Sequence, residues 1–76
     1  MQVEGSEMPG FGTDTMVKAV RTQRVYDSKG VQIKIKADSV GIPDSSAVTD
    51  GHQFVHFEVG GNTPCVRFPV GDLASL

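Results

Sequence analysis

The chain has no tryptophan, a single tyrosine (Tyr26) and a single cysteine (Cys65) among its 76 residues. One cysteine closes no internal disulfide and cannot supply a cysteine-based zinc site. No run of about 18 apolar residues occurs, so no membrane-spanning helix is expected. The first residues carry Glu4 and Glu7 where a secretory leader carries basic side chains, and no apolar stretch follows. That pattern points to a cytoplasmic protein. Hydrophobic residues are also scarce, at 38%, and a chain this short buries only roughly 60% of its unfolded surface. Small cores without disulfides or metals are often reinforced by association, so a homo-oligomer is expected.

The chain opens with Met8-Pro9-Gly10-Phe11-Gly12, which has no period of a strand or a helix. Residues 1–15 read as a flexible N-terminal arm, of which 1–12 add little to folding; Phe11 reads as a mobile exposed aromatic, with anchoring of the arm to a neighbour as the alternative. Residues 16–76 read as a single small β domain. Val17, Val20, Thr22, Val25 and Tyr26 favour one strand over 17–26. A helix over 15–24 competes, because Met16, Ala19, Val20 and Gln23 would share one of its faces.

The next segment favours the strand. Asp27-Ser28-Lys29-Gly30 has the chemistry of a tight hairpin loop, with Gly30 free to take the left-handed conformation. Val31-Gln32-Ile33-Lys34-Ile35-Lys36 then alternates apolar and polar residues without error. A turn of this kind sets Val25 opposite Ile33 and Gln23 opposite Ile35. Odd positions then form an apolar face that includes Val17, Ala19, Val25, Val31, Ile33 and Ile35. Lys18, Arg24, Tyr26, Lys34 and Lys36 share the even face. Val20, Arg21 and Gln23 do not fit this division.

Residues 38–52 read as a long connection in which Pro43 opens a helical turn and Val40, Ile42 and Val48 plug the end of the sheet. A second hairpin follows. Val55, Phe57 and Val59 share one strand face, and Val66, Phe68 and Val70 share the other. A four-residue loop, Gly60-Gly61-Asn62-Thr63, would pair Phe57 with Val66, Val55 with Phe68, His56 with Arg67 and Glu58 with Cys65. Pro69 suits a strand end or an edge strand. Asp72 would cap a last helical turn through Leu73 and Leu76, or the tail frays. The expected fold is all-β: two antiparallel hairpins forming a small sheet or partly open barrel.

Catalytic and metal chemistry find little support at this level. On a strand, His52 and His56 stand about 13 Å apart, and His56 with Cys65 gives too few ligands for a closed zinc site. A Cys65 nucleophile beside Glu58 would have its thiolate disfavoured by the carboxylate. Asp38, Asp44 and Asp50 lack the alternation of a calcium loop and read as solvated loop residues. The expectation is therefore no enzyme, no metal and no cofactor.

Charge is more informative. Residues 18–36 hold Lys18, Arg21, Arg24, Lys29, Lys34 and Lys36 against Asp27 alone, a net +5. The rest of the chain holds Arg67 against eight carboxylates, a net −7. Cations around Tyr26 suit nucleic acid, while the overall acidity (pI ≈ 5.5) favours a protein partner. The run Arg24-Val25-Tyr26-Asp27-Ser28-Lys29-Gly30-Val31-Gln32-Ile33 resembles the opening hairpin of the AbrB/MazE-type swapped-hairpin proteins. That resemblance implies a dimeric DNA-binding regulator or antitoxin. It covers ten residues, and Ile35-Lys36-Ala37-Asp38 stands where the family continues with an Ile-Pro step and a basic helix. The leading expectation is a small non-catalytic binding protein acting through contacts with itself and another protein. Nucleic-acid binding through residues 18–36, with Lys18, Arg24, Tyr26, Lys34 and Lys36 as the contact face, is the alternative.

Overall fold

The computed structural model describes residues 10–76. Among the described residues seven strands follow one another: β1 (Val17–Ala19), β2 (Gln23–Asp27), β3 (Gln32–Ile35), β4 (Val40–Pro43), β5 (His52–Phe57), β6 (Cys65–Pro69) and β7 (Leu73–Ser75), with a 3-10 turn at Val70–Asp72. They form one antiparallel sheet in the order β3-β2-β6-β5-β4-β1-β7. The fold is all-β, and both hairpins read from the sequence are in it. No helix among the described residues is long and apolar enough to cross a membrane.

The first hairpin has the expected register, with Gln23 opposite Ile35 and Val25 opposite Ile33. Its turn is built by Asp27, whose Oδ1 accepts from the backbone NH groups of Lys29 (2.9 Å) and Val31 (2.8 Å). Gly30 sits at φ +84°, a conformation that costs glycine little. Val31, expected on the apolar face, is instead an exposed residue of this turn. After β3 comes a tight turn, Lys36–Ser39, and then β4 rather than a basic helix.

The second hairpin is shifted by two residues from expectation. Val55 pairs with Val66, His56 with Cys65 and Phe54 with Arg67. Gly60 and Gly61 both have positive φ (56° and 84°), and Val59 bridges Asn62. This is the two-residue loop that Gly-Gly favours because its twist matches that of the strands. Side-chain parity survives a two-residue shift, so Val55, Phe57, Val66 and Phe68 still point inward.

Three further expectations are corrected. The segment 17–26 is strand, as expected, but it is two strands and not one, broken at Val20-Arg21-Thr22, where the pattern failed. The two halves end up separated by β6, β5 and β4. The break is held by Asp72, whose Oδ2 accepts from Arg21 Nε (3.2 Å) and Gln23 Nε2 (2.8 Å). Pro43 closes β4 instead of opening a helical turn, and Ile42 is exposed on the outer face instead of plugging the sheet. Leu73–Ser75 form a strand on β1, not a helical turn. Pro69 ends β6, where its missing NH is tolerated.

The core is Val17, Ala19, Val25, Ile35, Val55, Phe57, Val66, Phe68 and Leu73, on one face of the sheet. Ile35 belongs to edge strand β3 and Leu73 to the opposite edge strand β7. Both are buried in the same cluster, so the sheet must curl over itself. Phe57 and Phe68 meet at its centre, with ring centroids 5.0 Å apart and planes tilted by 56°. The two edges differ: β3 carries Lys34 and is followed by Lys36, whereas β7 is Leu73-Ala74-Ser75 and has no charge.

Residues 1–9 of the expected arm lie outside the described residues. Its later part is docked: Phe11 packs against the core. Buried Gln53 clamps the Phe11 backbone, accepting from its NH (3.1 Å) and donating to its carbonyl (2.7 Å). The same amide also donates to Ser45 O at 2.7 Å. Phe11 is therefore not the mobile, exposed side chain expected of it.

Candidate functional site

The outer face of the sheet carries the unexplained side chains. Backbone pairing sets them in rows across the strands. One row runs Gln32, Tyr26, Arg67, Phe54. The next runs Cys65, His56, Ile42 and continues to Met16, whose carbonyl accepts from the Leu76 NH. Phe54, Ile42, Met16 and Leu76 are between 40% and 67% exposed. Met16, Val40, Ile42, His56, Glu58 and Thr63 line a shallow groove on this face.

The five residues expected to form a basic face are only partly brought together. Arg24 and Lys34 are direct cross-strand partners, and Tyr26 follows one step along the same face. Lys34 and Lys36 share a second shallow groove with Glu58. Lys18 does not join them. The break at residues 20–22 puts it on β1, where its Nζ lies 3.8 Å from Asp38 Oδ1. Arg24, Lys29, Lys34 and Lys36 make no ion pair among the described residues.

Arg67 was not foreseen as part of this face. It stands between Tyr26 and Phe54, with Nη2 4.0 Å from Asp50 Oδ2. Treating Gly60-Gly61 as a two-residue turn would have placed it there, because that register sets Arg67 opposite Phe54.

A polar cluster straddles the two rows, Asp44 lying level with Phe54 and the other members in the second row. Asp44 follows β4, His56 is on β5 and Cys65 on β6. His56 Nε2 is 2.7 Å from Asp44 Oδ1. One ligating atom from each of the three residues falls within 4.8 Å of the others. Asp44, expected to be a solvated loop residue, joins the cluster, whereas Glu58, expected opposite Cys65, does not. Burial pushes the Cys65 thiol above its usual pKa, and the carboxylates of Asp44 and Asp27 push it the same way. A thiol held protonated is a poor nucleophile, despite the His–Asp pair beside it. His52 stands apart, its Nδ1 bonded to the Asp50 carbonyl at 2.8 Å.

Together these features define a small all-β protein with a curled antiparallel sheet and a mixed apolar and cationic outer face. The chain matches no model of a known family, no curated protein and no solved structure.

Proposed function

We propose that this chain is a non-catalytic binding module that works through protein–protein contacts, the first of them with a second copy of itself. One observation carries the reading: Phe54, Ile42, Met16 and Leu76 lie along the outer face with their apolar side chains in water. A solvated sheet face would be polar at these positions, and clustered exposed apolar residues are typical of interaction surfaces. Uncharged β7 borders the same strip and supports the reading. Sedimentation equilibrium of the intact chain tests it. The parent should run above its 8.1 kDa monomer mass, and Ile42→Glu should return it to that mass with an unchanged far-UV spectrum. A monomeric parent at all concentrations removes the self-association part.

A second reading rests on a different observation. Tyr26 and Phe54 flank Arg67, with Arg24 and Lys34 beside them. Aromatic platforms among cations suit single-stranded nucleic acid. Fluorescence anisotropy with a labelled oligonucleotide discriminates the two. Binding by three or four phosphate contacts should fall with salt at a log–log slope of roughly −2 to −3. Replacing Lys34 and Lys36 with Gln should flatten that slope by roughly 1.4 units. No binding at low salt leaves the protein-contact reading alone.

A further inference from the structure

We propose that Asp44, His56 and Cys65 form a binding site for a divalent transition-metal ion of borderline softness, with Zn2+ as the type. Three adjacent strands position the ligands. His56 and Cys65 are direct cross-strand partners, and Asp44 is tied to the neighbouring strand by its own NH, which donates to Phe54 O at 2.9 Å. The backbone that carries the three side chains is therefore fixed before any ion arrives.

The donor set decides the class of ion. One thiolate, one imidazole and one carboxylate suit zinc-like ions, the incoming ion displacing the Cys65 proton to solvent. Calcium and magnesium take oxygen ligands and make no use of the sulfur or the ring nitrogen. Typical zinc bond lengths in a tetrahedron put neighbouring ligand atoms roughly 3.4–3.6 Å apart. The widest separation here is within 4.8 Å, and the Asp44–His56 contact is 2.7 Å. The first must close and the second open by about an ångström, which rotation of half-exposed side chains supplies. His56 and Asp44 keep 40% and 55% of their side-chain surface in solvent. A fourth position is thereby left to water, as in sites with three protein ligands.

Cobalt titration of the intact chain, kept reduced with a phosphine, tests the site. The parent should bind one Co2+ with a near-ultraviolet thiolate-to-cobalt band and the intense visible absorption of a four-coordinate ion, and Zn2+ should displace it. Cys65→Ser should abolish the ultraviolet band. Loss of an outer-shell partner already weakens metal affinity by about 10–100-fold, so His56→Gln and Asp44→Asn should each cost at least tenfold. His52→Gln lies outside the cluster and should bind like the parent. No thiolate band in the parent overturns the proposal. So does affinity that survives His56→Gln, or that His52→Gln weakens equally.

Discussion

Gly41, in β4, sits where the sheet leaves no room for a side chain. A Cβ placed there would lie 2.6 Å from the carbonyl oxygen of His56 and 2.9 Å from Val55 Cγ1. The carbonyl belongs to the neighbouring strand and cannot turn aside as a flexible side chain would. Gly41→Ala should therefore destabilise the fold by about 1–3 kcal/mol, the usual cost of overpacking. Gly71 offers the comparison, since a Cβ there meets nothing within 4 Å. Gly71→Ala should be nearly neutral, and urea midpoints of the two variants measure the difference. Equal midpoints would mean that β4 and β5 separate without cost.

Strand β5 shows how far parity alone reaches. Phe57 is buried beside Phe68 while its neighbour Glu58 is exposed. Phe57→Ala should cost about 3–5 kcal/mol, against almost nothing for Glu58→Ala. Guanidinium denaturation of the pair checks the assignment, and similar midpoints would overturn it. The first hairpin was legible because Asp27 and Gly30 form a local turn whose chemistry is written in four residues. The second is legible in parity but not in register, because Gly60-Gly61-Asn62-Thr63 has the composition of a four-residue loop as much as that of a Gly-Gly turn. Strand β4 was hidden, since Gly41 and Pro43 have no strand preference and hold their places through β1 and β5. Strand β7 is three residues long, too short for a period to show. The polar cluster shared this fate. It needs Asp44 beside β5, a pairing that spans a loop and leaves no mark on the local sequence. Buried Gln53 was within reach, because it shares parity with Val55 and Phe57.

At the scale of the molecule, the docked part of the arm becomes a structural element. Removing residues 1–12 would strip Gln53 of two hydrogen bonds to Phe11, and a buried polar group left unpaired costs about 1–3 kcal/mol. A chain beginning at Thr13 should melt on the order of ten degrees lower. An unchanged melting temperature in calorimetry would show that water replaces Phe11 freely. The unequal edges have a different consequence. Lysines discourage strand addition, and only the β3 edge has them. A second copy that joined through β7 would leave the lysine-bearing rims outermost on both sides, and growth would stop at a pair. Replacing Lys34 and Lys36 with Thr should lift that stop, and light scattering over days should then rise as the pairs string into fibrils.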